Sequence, residues 1–224
     1  GLWHPPLAWI KGEIMRNRQV DSGHYKFEKY VSKSRWASMW HQLDEVVKLG
    51  PENVLEIGPG PGLFKAVAAC FGVNVETLDL DPDLNPDHVG SVLEMPFPTA
   101  SYDAVCAFQM LEHIPFEESL AAFKEMCRVA SRQVIISLPD ARKLRRFSFY
   151  IPKFGDKNIF ILDPRFINKK HEFDGEHYWE VNKAGFSLDV VIRELEQCSD
   201  ARLSKTYRVP ENTYHRFFVF DVKS

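Results

Sequence analysis

Apolar positions recur along this chain in two rhythms, and their alternation predicts the architecture. Between about Glu28 and Leu49, the residues Trp36, Met39, Trp40, Leu43, Val46 and Val47 fall three and four apart. They form one apolar face of a helix, which Gly50-Pro51 stops. Val54-Leu55-Glu56-Ile57 is then a short apolar run suited to a strand buried on both faces, and it ends in Gly58-Pro59-Gly60-Pro61-Gly62. The helical rhythm resumes from Leu63 to Phe71. Further strands are predicted over 73–80, 104–108 and 133–138, with a helix over 117–129 before the last of these. A helix over 187–198 and strands over 201–209 and 216–222 follow, and Pro210-Glu211-Asn212 predicts that the final two strands pair antiparallel. Strands alternating with helices of this length need right-handed crossovers. The expected fold is therefore α/β, a Rossmann-like, doubly wound, mostly parallel sheet with an antiparallel last strand.

Composition narrows the classes. With 45% hydrophobic and 26% charged residues, the chain can build a globular core, and disorder is expected only at the termini. A net charge of −3 supplies no global field for nucleic acid or an anionic membrane, so no nucleic-acid partner is expected. No apolar run approaches the ~20 residues of a membrane span. Gly1-Leu2-Trp3-His4-Pro5-Pro6 lacks the layout of a signal peptide, and a cytoplasmic location is the expectation. Cys70, Cys106, Cys127 and Cys198 form no C-x-x-C pair; three of them lie in apolar stretches that read as buried elements, and reduced core thiols are the expectation.

The richest segment is Glu56-x-Gly58-x-Gly60-x-Gly62. In an open α/β sheet, ligands bind where strands end at their carboxyl side, and glycines there allow a sharp turn and close approach. The following helix start favours a negatively charged ligand group. A dinucleotide fingerprint would need glycine where Leu63 stands, which argues against an NAD-dependent oxidoreductase. A carboxylate at Glu56 suits a cationic ligand head better than a pyrophosphate. At the end of the second strand, Asp79 can accept both hydroxyls of a ribose; Asp81, two residues on and pointing to the same side, competes for that role.

Val54 to Gly62 resembles motif I of class I S-adenosylmethionine-dependent methyltransferases, and Thr77-Leu78-Asp79-Leu80-Asp81-Pro82 is similar to their second motif. Met95-Pro96-Phe97-Pro98, Ser101-Tyr102-Asp103-Ala104-Val105 and Met110-Leu111-Glu112-His113-Ile114 resemble, in order, the series of the small-molecule type 11 branch. The resemblance implies S-adenosyl-L-methionine as cofactor. It places Gly58, Pro59, Gly60 and Gly62 beneath the methionine part, Glu56 near its ammonium, Asp79 on the ribose and Leu80 on adenine. It also places Ser91 and Val92 where relatives bond the adenine amino group, Ser91 standing for a usual aspartate, and puts Phe108 and Gln109 at the methyl end. Four parts of a single methyltransferase domain are expected: an arm and helix lid over 1–49, a cofactor-binding half over 50–140, a substrate-side insertion over 141–180, and a helix with hairpin over 181–224.

Candidates for a general base are His113, His177 and Tyr178; His113 fits equally a structural histidine that caps a helix or bonds a loop carbonyl. The insertion also carries His171, Asp174 and His177, whose spacing matches no zinc pattern, so no metal is expected. Arg142 to Ile151 mixes basic and aromatic residues and reads as a solvated helix over an apolar pocket. Tyr30, Trp36 and Trp40 are expected to pack on the core. The resulting expectation is methyl transfer to a small-molecule or lipid- or glycan-linked acceptor, with oxygen slightly preferred. The alternative is a cofactor-binding module that does not catalyse.

Overall fold

The structure, a computed structural model, describes residues 31–163, 170–173 and 175–223. Tyr30 and Asp174 lie outside the described residues. Helix α1 spans Lys33–Leu49: the Ser32 hydroxyl accepts from the Arg35 N–H at 3.1 Å to start it, and Gly50 in the left-handed region ends it. The parallel half follows as β1 (Val54–Ile57), α2 (Leu63–Cys70), β2 (Val75–Asp79), a two-residue β3 (His88–Val89), β4 (Tyr102–Phe108), α3 (Phe116–Val129) and β5 (Ala130–Pro139). A hairpin of β6 (Leu144–Ile151) and β7 (Gly155–Leu162) intervenes before α4 (Leu188–Gln197), β8 (Ala201–Val209) and β9 (Asn212–Val222).

Seven strands form one sheet in the order β3-β2-β1-β4-β5-β9-β8. Neighbours from β3 to β5 are parallel, and β9 runs antiparallel to both β5 and β8. The period of two along each strand sorts the core into two layers. Leu55, Ile57, Val105, Ala107, Val134 and Ile136 meet α3 and α4 through Phe123, Met126 and Leu195. Val54, Ala104, Cys106 and Ile135 meet α1 and α2 through Val46, Phe64 and Ala68. Helices thus cover both faces, as the doubly wound reading requires. The parallel strands β1, β2 and β4 end side by side at Ile57, Asp79 and Phe108, which is the edge where ligands bind in such sheets.

Three expectations need correction. Trp36 and Trp40 are 51% and 58% exposed, because α1 docks through Met39 and Val46 and its two tryptophans project beside that stripe. A polar joint adds to the docking: buried Glu45 accepts from the Lys205 ammonium at 2.6 Å and the Tyr207 hydroxyl at 2.7 Å on β8. Of the cysteines, Cys106 and Cys127 are buried, whereas Cys70 is exposed and Cys198 intermediate; all four are free thiols.

The third correction concerns Arg142 to Ile151, which is no helix. It leads into the β6–β7 ribbon, paired from Leu144↔Leu162 to Ile151↔Gly155, a two-stranded sheet of its own. Phe147, Tyr150, Phe154, Ile159 and Ile161 are all about half exposed or more. The density of β-branched and aromatic residues over 147–151 and 159–162 favours strands. The ribbon's foot is fixed at Asp140, a buried carboxylate that accepts from Arg208, from Arg216 at 2.7 Å and from Asn182 at 2.8 Å.

Candidate active site

The first strand delivers Glu56 to the ligand edge and then turns. Gly58 has φ of 66°, its N–H donates to the Leu78 carbonyl at 3.0 Å, and a side chain there would lie 2.7 Å from Met110 Cγ. Only glycine fits such a position. Gly60 (54°) and Gly62 (74°) continue the left-handed path, and Gly62 caps the start of α2. Glu56, Gly58, Pro59 and Phe108 line one crevice, whose other side is lined by Arg35, Trp36, Met39 and Gln42 from α1. A helix lid over 1–49 is expected from the sequence, but Arg35, Met39 and Gln42 were not named as site residues and Trp36 was expected on the core.

Glu56 is buried and its Oε2 has no hydrogen-bond partner. Burial pushes its pKa up to about 8, against an opposing pull from Lys65. Along the same edge stand Asp79, Leu80, Ser91 and Val92. Asp79 ends β2 and accepts the Asp81 N–H at 2.8 Å; burial raises its pKa, with that hydrogen bond opposing. Asp81 instead caps a 3₁₀ turn, accepting the Asp83 N–H at 3.0 Å. Leu80 is exposed, the Ser91 hydroxyl accepts the Leu93 N–H at 3.2 Å, and Val92 is buried. At the end of β4, Gln109 is held at φ of 54°, its N–H donating to the Ser137 carbonyl and its side-chain amide to the Ser137 hydroxyl. A non-glycine residue in that region is strained, a feature that clusters at functional sites.

Beyond Met110, the 3₁₀ turn Leu111–His113 carries Glu112 and His113. The structure brings His113 and His177 together, with ring centroids 5.0 Å apart. Tyr178 is placed differently: its N–H donates to the Glu112 carbonyl at 2.9 Å, and its exposed ring lies against Phe173. His177 Nδ1 lies 3.0 Å from Glu180 Oε1, which also accepts the Tyr214 hydroxyl at 2.6 Å. Burial would raise the pKa of Glu180, but these hydrogen bonds outweigh it and hold the group low. His171 Nε2 is bonded to the carbonyl of His177 at 2.7 Å. Glu112, Glu180 and Tyr214 carried no sequence assignment, although Glu112 sits in the Leu-Glu-His segment.

The family described as methyltransferase domain matches residues 55–138. Residues 55–138 are thus similar to a methyltransferase domain. An uncharacterized methyltransferase from Mycobacterium sp. (strain JLS) is 24% identical over 131 residues, 53% of this chain and 47% of that protein, so the chain spans about half the length of the curated relative it matches. Among solved structures, the Burkholderia thailandensis 1,6-didemethyltoxoflavin-N1-methyltransferase with bound 1,6-didemethyltoxoflavin and S-adenosylhomocysteine is similar over 100% of this chain and 93% of its own, with TM-score 0.61 and 14% identity. The magnesium protoporphyrin IX methyltransferase from Synechocystis PCC 6803 with bound SAH matches over 100% and 90%, with TM-score 0.55 and 13% identity. At such identities the likeness is one of fold. The matched segment runs from β1 into β5 and contains both the glycine turn and the Glu112–His113 turn. No helix among the described residues is long and apolar enough to cross a membrane.

Proposed function

We propose that this chain transfers a methyl group from S-adenosylmethionine to an oxygen of a small-molecule or carrier-displayed acceptor. Glu56 carries the reading: a buried carboxyl lining the crevice, with an oxygen that nothing in the protein satisfies. Such a group is costly inside a protein, and a ligand ammonium offsets the cost. The rest of the edge fits the same ligand. The Gly58–Gly62 turn lets backbone pass close beneath it, and the start of α2 favours its carboxylate. Asp79 is assigned the ribose hydroxyls, since it ends β2 beside the glycine turn, whereas Asp81 lies beyond the strand. Leu80 offers exposed apolar surface for the adenine, with Ser91 and Val92 at its edge.

The bound cofactor supplies a methyl group on a positively charged sulfur. The protein's part is alignment, for which Phe108 and Gln109 are fixed at the end of β4 by ring contacts and the Ser137 bonds. Holding reactants in line is worth roughly 7–11 kcal/mol of barrier. His113, His177 and Tyr178 are the candidates for taking a proton from an acceptor hydroxyl.

The test is turnover. The chain is incubated with S-adenosylmethionine and a panel of hydroxyl, amine and carbon acceptors, and S-adenosylhomocysteine is measured by mass spectrometry. Thermal shifts with S-adenosylhomocysteine and with NAD run in parallel. At 100 times the dissociation constant the former should add about 2.7 kcal/mol of stability. Binding without turnover on any acceptor supports a non-catalytic cofactor-binding module, and an NAD-specific shift contradicts the proposal outright.

A further inference from the structure

Next to the crevice, three metal-ligating side chains converge from two distant parts of the chain. Glu112 and His113 come from the turn after β4, and His177 from the segment ahead of α4. One ligand atom from each lies within 4.8 Å of the other two, the one such group among the described residues. This set differs from the His171, Asp174 and His177 spacing in the sequence.

Two independent observations point to a ligand there. The first is Glu112. It is fully buried, and neither carboxylate oxygen has a hydrogen-bond partner. A protein interior rarely tolerates a carboxyl with both oxygens unsatisfied, because the lost hydration is not replaced.

The second is how the two rings are held. His113 Nδ1 lies 2.9 Å from the Glu176 carbonyl oxygen, and His177 Nδ1 lies 3.0 Å from Glu180 Oε1. A ring oriented from behind by a carbonyl or carboxylate is the arrangement metal-bound histidines adopt. The Tyr214 hydroxyl in turn fixes Glu180.

We propose that Glu112, His113 and His177 bind one first-row divalent cation, with the Glu176 carbonyl and Glu180 orienting the two imidazoles. Two imidazoles and one carboxylate suit Zn²⁺, Fe²⁺, Mn²⁺ or Co²⁺, and three protein ligands leave positions open for water or an oxygen of a second molecule. Metal–ligand bonds of about 2.0–2.2 Å require the three side chains to draw slightly inward on binding. Met110 joins this turn to Gly58, so the cation would sit on the acceptor side of the crevice. The inference concerns the cation site and stands whether or not the chain transfers methyl groups; with the cation bound, His113 and His177 are ligands and do not act as the bases named above.

The probe is Co²⁺, titrated into chelator-treated full chain while the visible d–d band is followed. Binding of S-adenosylhomocysteine by calorimetry is a separate readout, and failure there would count against the methyl-transfer reading only. The expected result is a band that saturates at one Co²⁺ per chain. It should be lost in His113→Ala and His177→Ala, and affinity should fall about 10–100-fold in Glu180→Gln, where only ring orientation changes. Modification by diethyl pyrocarbonate, mapped by mass spectrometry, needs no variant: Zn²⁺ should protect His113 and His177 while His41 and His88 still react. A wild-type chain with no d–d band at saturating Co²⁺, or protection that falls on other histidines, overturns the proposal.

Discussion

Between β1 and β5, apolar strand residues are buried on both faces, and the buried carboxyls inside are Glu56 and Glu112, each with at least one oxygen unsatisfied. Between β5 and α4 the arrangement is reversed. Apolar Phe147, Tyr150, Phe154 and Ile159 lie outside, and buried polar groups are paired: Asp140 with two arginines, Glu180 with His177 and Tyr214. The difference separates two uses of a buried charge. A paired one is a joint that fixes a segment to the body, whereas one left without a partner on a ligand edge is a place where something else must bind.

The largest effects should come from the core of the first region. Phe123→Ala, at a fully buried ring between α3 and the sheet, should lower unfolding free energy by about 3–5 kcal/mol in urea titration. Phe154→Ala, at the 70% exposed tip of the ribbon, should stay within about 0.5 kcal/mol of wild type. Equal losses would erase the contrast. Gly58→Val comes next. Its positive φ and the contact with Met110 together should cost about 1–3 kcal/mol and remove the thermal shift with S-adenosylhomocysteine.

The parallel sheet could be read from sequence because strands buried on both faces need continuous apolar runs, and Val54–Ile57, Val105–Ala107 and Val134–Ile136 supply them. The ribbon could not. In Arg145-Arg146-Phe147-Ser148-Phe149 no layer covers either face, so neither rhythm dominates and the basic residues mimic a solvated helix. The glycine turn, Glu56 and Asp79 were readable since they fall at strand ends. The partnership of His113 with His177, and the roles of Glu112 and Arg35, depend on chain segments that meet only in the folded state.

A smaller effect is electrostatic. The carboxyl of Glu56 titrates near 8 in the folded chain and near 4.5 when unfolded, so its protonated form favours folding. That contribution is complete below about pH 4.5 and is lost as pH rises toward 8. Wild type should therefore lose stability relative to Glu56→Gln across this window, by at most about 1.4 kcal/mol per pH unit. Saturating S-adenosylhomocysteine should flatten the difference, because an ammonium beside Glu56 favours its charged form. Smallest of all, replacing 145–161 by a short turn should leave affinity for S-adenosylhomocysteine within about threefold, under 1 kcal/mol, since the ribbon contributes no residue to the crevice.

The central claim is that Glu56 awaits an ammonium. Calorimetry with S-adenosylhomocysteine and with its analogue lacking the α-amino group, on wild type and Glu56→Gln, tests it most directly. The account predicts a preference of about 1.5–3 kcal/mol for the amine in wild type that largely disappears in the variant. Equal binding of the two ligands by wild type, or a preference untouched by the substitution, would contradict it.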